Sequence, residues 1–227
     1  MNGILLIDKP SGWTSFDVVA KIRGMIRRET GLKKLKVGHA GTLDPLATGL
    51  LVILLGTYCK RAGEFSKLDK TYQVTMKLGQ TSTTGDEEGE KTAVSGLRPP
   101  KSAVLAALKR FEGEIMQTPH KYSAIKVDGQ RAYKLARAGK EVVLEPRRVT
   151  IYDITDVTYH YPKVKFTTKV SSGTYIRSLV EDIGKELHTG AYMAVLRRTS
   201  IGPFGIGQAL NITALDDWQT KDHILLA

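Results

Sequence analysis

Two stretches of strict alternation constrain the fold of this chain more than any other feature. In the first, Tyr72, Val74, Met76 and Leu78 alternate with Thr71, Gln73, Thr75 and Lys77. In the second, Val164, Phe166, Thr168 and Val170 alternate with Lys163, Lys165, Thr167 and Lys169. Successive strand side chains point to opposite faces, so each stretch predicts a strand with one covered and one polar face. Shorter strands are expected at Gly3–Asp8, Leu51–Leu55, Met193–Leu196 and Arg198–Gly205. Between them lie patterns of helical period. Thr14 precedes Asp17 by three residues, a capping box that opens a helix burying Val18, Ile22, Met25 and Ile26. Pro100 introduces a second helix with Val104, Leu105, Leu108 and Phe111 on one side. A third carries Ile176, Val180, Ile183 and Leu187, with Thr174 placed to cap it. Strands and helices do not alternate regularly, which predicts an α+β fold rather than a doubly wound sheet.

A length of 227 residues fits one large domain or two small ones, and the 41% apolar and 25% charged fractions suit a globular core. The formal charge of +11 favours a polyanionic partner, although net charge also serves solubility and does not separate DNA, RNA and acidic membrane. Cys59 is the only cysteine, which excludes an internal disulfide and any site built from several thiolates. The longest apolar stretch, Leu50–Leu55, has the length of a buried strand and not of a membrane span. The expected setting is therefore cytoplasmic, away from membrane.

Several reaction classes lack their residues. There is no Gly-x-x-x-x-Gly-Lys-Ser/Thr or Gly-x-Gly-x-x-Gly sequence, no serine nucleophile elbow, and no metal-binding spacing among the five histidines. A zinc-dependent base deaminase needs a His/Cys ligand set that one cysteine does not supply. Attention falls instead on Gly38–Gly49, with three glycines and a proline in twelve residues, just before the apolar strand. Asp44-Pro45 within it has two readings. Asp before Pro shapes turns. Alternatively, Gly41 and Gly49 free the backbone to present Asp44 to a ligand as nucleophile, base or partner of a developing cation.

Five segments, in order, resemble one family. They are Leu6–Ser15, Gly38–Leu51, Lys70–Tyr72, Gly173–Arg177 and Val195–Thr199. Together they are similar to the bacterial tRNA pseudouridine synthases that act on the T-loop uridine at conventional tRNA position 55. The resemblance covers nearly the whole chain. It implies a pseudouridine synthase fold with a central mixed, mainly antiparallel sheet flanked by helices and loops. It also implies catalytic positions at Asp44, Tyr72 and Arg177. Asp44 would be the essential aspartate, Tyr72 would stack on uracil, and Arg177 would pair with the carboxylate. Read without the family, Tyr72 is equally a core residue and Arg177 a surface group.

Substrate-binding roles follow by the same resemblance for His39, Leu196, Asp86 and Lys9, with Asp86 placed in a flexible acidic turn. Neither cofactor nor metal is implied. The implied partner is the tRNA T-arm, whose target base must leave its stack, and the protein is expected to act as a monomer. The stretch around 117–150 is rich in basic and aromatic residues and is expected to project as an RNA-binding element. Lys121, Lys126, Arg131, Arg147 and Arg148 would contact the RNA backbone there, unless the stretch is simply a solvated charged loop. Residues 1–227 are read as one catalytic domain. The PUA-type C-terminal RNA-binding domain common in the family has no room after Lys221–Ala227, an expectation that bears on tRNA affinity more than on chemistry. The alternatives are a non-catalytic RNA-binding or tRNA-folding module and a synthase with another RNA target.

Overall fold

The computed structural model describes residues 1–32, 34–123, 125–127, 129–212, 224 and 225. Most of the chain end at Lys221–Ala227 therefore lies outside the described residues. In chain order the elements are β1 (Gly3–Lys9), α1 (Ser15–Thr30), β2 (Val37–Ala40), β3 (Thr48–Leu55), α2 (Ala62–Ser66), β4 (Lys70–Leu78), β5 (Gln80–Ser82) and β6 (Lys91–Ala93). They continue with α3 (Lys101–Arg110), β7 (Gly113–Gln117), β8 (Lys126–Val127), β9 (Gln130–Arg131), α4 (Ala132–Arg137), β10 (Arg147–His160) and β11 (Lys163–Val170). The last are α5 (Ile176–Glu186), β12 (Ala191–Ile201), β13 (Phe204–Gly205) and β14 (Leu210–Asn211). The chain forms two compact units, one of Met1–Tyr72 with Leu196–Ala227 and the other of Gln73–Val195.

In the first unit the strand order is β14-β1-β3-β12, with β2 on β3 and β13 on β12. The pairing is mixed: β1 runs antiparallel to β3, while β14 on β1 and β12 on β3 are parallel. The uninterrupted apolar run of β3 follows from burial on both faces. Leu51, Ile53 and Leu55 join Leu5, Ile7 and the α1 residues Val18, Val19, Ile22 and Ile26 in one core layer. Leu50, Val52 and Leu54 face the other way, with Ile4, Leu6, Phe65 and Ile201. Full burial of each such side chain contributes roughly 1.5–3 kcal/mol. The capping box forms as read: Thr14 Oγ1 accepts from the Asp17 N–H at 3.1 Å, and Asp17 accepts from the Thr14 N–H at 2.8 Å.

In the second unit β4, β11, β10 and β7 are neighbours in that order, and β10 is antiparallel to both β11 and β7. Both alternating stretches are strands, and Val74, Met76, Val164, Phe166, Thr168 and Val170 are buried as the period predicts.

Three local expectations are corrected. Leu105 is 40% exposed, because α3 buries Val104, Ala107 and Leu108 instead. Thr174 does not cap α5: its hydroxyl donates to the Ser171 carbonyl at 3.0 Å. The helix start is held by Gln117, whose amide accepts from the Tyr175 N–H at 2.8 Å and donates to the Tyr175 carbonyl at 3.1 Å. The two strands expected between Met193 and Gly205 are one long strand through Arg198, with only β13 separate, because Arg198 is buried rather than marking a break.

Candidate active site

Within the first unit, the segment carrying Asp44 leaves β2 at Ala40 and enters β3 at Thr48. Its backbone is tied down on both sides of the carboxylate. The Ser15 hydroxyl accepts from the Leu43 N–H at 2.9 Å and donates to the Leu43 carbonyl at 3.2 Å. The Gly12 N–H donates to Pro45 O at 2.9 Å, and Ser11 Oγ to Leu46 O at 3.3 Å. Leu43 and Ala47 are buried on either side. Arg198, 1% exposed, donates from Nη2 to Gly41 O at 2.9 Å and from Nε to Leu50 O at 2.8 Å, bracing both ends of the segment. Asp44 itself stays half-buried. A carboxylate on so restrained a backbone is held in one direction, which electrostatic catalysis requires.

Lys9, to which the resemblance gives a substrate-binding role, ends β1. It is fully buried beneath the segment, and its ammonium donates to Pro10 O at 2.9 Å, Trp13 O at 2.7 Å and Pro45 O at 3.2 Å. Three donors meet three carbonyls, so Lys9 joins the β1 turn to the Asp44 segment. Burial pushes its titration down to about 8, with the Asp44 charge opposing the shift and Arg198 adding to it. Lys70 is likewise pushed down to about 8, by burial first and by Arg198 second. A buried lysine that titrates near 8 in the folded chain and near 10.5 unfolded leaves the unfolded state binding more protons across that window. Stability therefore rises with pH from about 8 to 10.5. Lys9→Met and Lys70→Met should each reduce that rise in urea midpoints. A rise as steep in both variants as in the parent would show that these ammonium groups are not its source.

His39, on β2, lies edge-on to Phe16 with ring centroids 5.7 Å apart, and among the described residues its buried Nδ1 has no hydrogen-bond partner. Burial and then Arg198 lower its pKa, favouring the neutral ring. Phe16 is 73% exposed and was not singled out by the sequence. Tyr72 and Leu196 are buried on β4 and β12. Neighbouring Arg197 makes a bidentate pair with Asp8, Nη2–Oδ2 2.6 Å and Nη1–Oδ1 3.1 Å.

The second unit holds Arg177 and Asp86. Both are buried, while Glu87, Glu88 and Glu90 of the same acidic turn are exposed. Asp86 Oδ1 accepts from the Thr84 hydroxyl and from the Glu88 N–H at 3.1 Å, and Asp86 forms a bridge with Met193. Arg177 Nη1 lies 3.7 Å from Asp86 Oδ2 and donates to Thr84 O at 3.2 Å, while Nη2 donates to Tyr122 O at 2.9 Å. His120 also touches this guanidinium and was missed in sequence, where it read as one lone histidine among five.

The two ends of the basic stretch differ. Gln117, His120 and Ser123 are buried, whereas Lys121, Lys126, Arg131 and Arg148 are exposed. Arg148 pairs with Glu114 at 3.3 Å. Arg147 lies 5.0 Å over the Tyr175 ring and donates to Gly173 O. Among the described residues no cluster of three or more His, Cys, Asp or Glu side chains is arranged to hold a metal, and no helix is long and apolar enough to cross a membrane.

The fold is that of a known class of RNA-modifying enzyme. A chain from the crystal structure of a Cbf5–Nop10–Gar1 complex matches 95% of this chain with a TM-score of 0.72 and 31% identity. One from an H/ACA RNP bound to a substrate RNA containing 2′-deoxyuridine matches 95% with a TM-score of 0.68 and 29% identity. This chain spans about half the length of each, 54% and 53%. The pseudouridylate synthase N-terminal domain model of the TruB family matches residues 27–176, and the tRNA pseudouridylate synthase B C-terminal domain model matches 177–226. The tRNA pseudouridine synthase B of Burkholderia mallei (strain NCTC 10247) is 44% identical over 95% of this chain and 70% of its own length. That of Phocaeicola vulgatus is 43% identical over 97% of this chain and 94% of its own. The chain belongs to the TruB family of pseudouridylate synthases.

Proposed function

We propose that this chain converts uridine to pseudouridine in the T loop of tRNA, at position 55, with Asp44 as the essential carboxylate. The observation that carries the reading is the restraint on the Asp44 segment, held by Ser15, Lys9 and Arg198 in a chain of this family. In the reaction the N1–C1′ bond breaks and a C5–C1′ bond forms, so C5 loses a proton and N1 gains one. Positive character grows on the ribose as the first bond breaks. A fixed anion then stabilises the transition state more than the ground state. Asp44 acts at C1′, either by attack or by assisting glycal formation.

Tyr72 stacks on the uracil and its hydroxyl assists removal of the C5 proton. Arg177 is the cation that directs Asp44, with Asp86 and Leu196 in the uracil pocket. The neutral His39 ring contacts the extruded nucleotide, since a stacked uridine does not expose C1′ and C5 together. Lys121, Lys126, Arg131, Arg147 and Arg148 supply phosphate contacts on the RNA backbone, around 117–150. The protein works in the cytoplasm as a monomer on the tRNA T-arm, without a cofactor.

The test is incubation with unmodified T-arm RNA carrying 5-tritiated uridine. Tritium release with conversion of the loop uridine is expected, and affinity should fall as salt rises because phosphate contacts displace counterions. RNA binding without release, under conditions where an active synthase turns over, would replace this reading with that of a non-catalytic RNA-binding module.

A further inference from the structure

We propose that His120 is a positioning residue that fixes the direction of the Arg177 guanidinium, backed by Glu181. The inference rests on the role given above to Arg177. The His120 side chain is 5% exposed and its Nδ1 lies 3.2 Å from Arg177 Nη1. The Tyr122 backbone N–H donates to the same nitrogen at 3.2 Å. A guanidinium has only donors, as does a backbone N–H, so Nδ1 must carry the lone pair. The ring hydrogen then sits on Nε2, which lies 3.5 Å from Glu181 Oε1, an electrostatic contact longer than a good hydrogen bond. A carboxylate behind one ring nitrogen selects the tautomer that makes the other an acceptor.

The surroundings are built around this pair. Gln117 and Thr118 tie the segment leading to His120 onto the first turn of α5, through Tyr175 and through Ser178 Oγ donating to Thr118 O at 2.9 Å. The Tyr122 ring stacks on the imidazole at 5.8 Å and 28°. Gly85 stands next to Asp86, and a Cβ there would come within 2.8 Å of both His120 Nε2 and Glu181 Oε1. A side chain at this position would press on the His120–Glu181 pair. Groups that face the Arg177 guanidinium include the carbonyls of Thr84 and Tyr122, the Asp86 carboxylate and His120 Nδ1. His120 is the one neutral side chain among these four. His120 and Glu181 also line a cavity of about 590 Å³, roomy enough to admit free imidazole.

Single-turnover rates and RNA affinity of the full chain test this. His120→Ala should slow conversion of T-arm RNA by about 10-fold or more, the value of a hydrogen bond to a charged group. Affinity should stay within about two-fold, since the His120 side chain is buried and is not among the basic groups assigned to phosphate contacts. Added imidazole should restore part of the rate by entering the cavity. His120→Asn should remain close to the parent, because its amide oxygen accepts near the place of Nδ1. His120→Ala turning over like the parent, losing affinity alone, or being matched by a slow His120→Asn without imidazole rescue would each overturn the proposal. Nitrogen NMR of the ring reads the tautomer without turnover, and a proton on Nδ1 would overturn it as well. A parent protein that makes no pseudouridine would overturn the functional reading instead, and the ring spectrum would still decide the geometry.

Discussion

Asp44→Asn is expected to abolish pseudouridine formation while leaving the fold and RNA affinity nearly intact. The backbone around residue 44 is held by the Ser15 hydroxyl, by Lys9, by the Gly12 N–H and by the Ala47 N–H donating to Asp44 O at 3.1 Å. All these use groups that the substitution keeps, and Asn has nearly the shape of Asp. What disappears is the charge. An amide has no anion to offer C1′ as the glycosidic bond breaks, so the rate should fall by about three orders of magnitude or more, roughly 4 kcal/mol of transition-state stabilisation. A second signature is independent of activity. Asp44 supports the protonated form of Lys9 against its burial, so removing the charge should move the Lys9 titration lower still. Turnover within about ten-fold of the parent would remove Asp44 from the centre of the chemistry. Lost RNA binding would place it in recognition instead.

What the sequence made legible was local or periodic. The Thr14–Asp17 capping box needs three residues of separation, and the alternation in β4 and β11 is visible within one strand. The importance of the Gly38–Gly49 segment was legible from its glycines and by resemblance, but not what holds it. Arg198 reaches Gly41 across 157 positions of sequence, and as written it is one arginine beside another. Its neighbour Arg197 instead pairs with Asp8, 189 positions away. Lys9 is held partly by neighbours, Pro10 and Trp13, and partly by Pro45, 36 positions away. Its three hydrogens are taken by backbone carbonyls. The acidic, glycine-containing turn gave no sign that Asp86 itself is buried, with Thr84, the Glu88 N–H and the Met193 bridge around it. Arg198 and Arg197 are specified by partners far away in the chain, and pattern reading along one sequence has no access to those partners.

Gly49→Ala should be strongly destabilising. Gly49 ends the Asp44 segment between two strands, antiparallel to Lys9 on β1 and parallel to Arg198 on β12. Its φ is +104°, outside the region L side chains prefer. An added Cβ would lie 2.2 Å from Arg198 O and 2.8 Å from Arg198 N, both backbone atoms of a paired strand that cannot swing aside. The effects of φ and of overpacking together amount to about 3 kcal/mol or more. Gly12→Ala separates them. Gly12 also has positive φ, +82°, but nothing lies within 4 Å of its Cβ position, so only the backbone cost of about 1–2 kcal/mol applies. Denaturation midpoints should therefore fall much further for Gly49→Ala than for Gly12→Ala. Any Gly49→Ala protein that still folds must shift β12 locally. Its Arg198 would then brace Gly41 and Leu50 less well, and turnover should fall by more than the folded fraction accounts for. Equal midpoints for the two variants would mean that β12 yields at Gly49 without cost. The restraint credited to Arg198 would then be too soft to direct the Asp44 carboxylate.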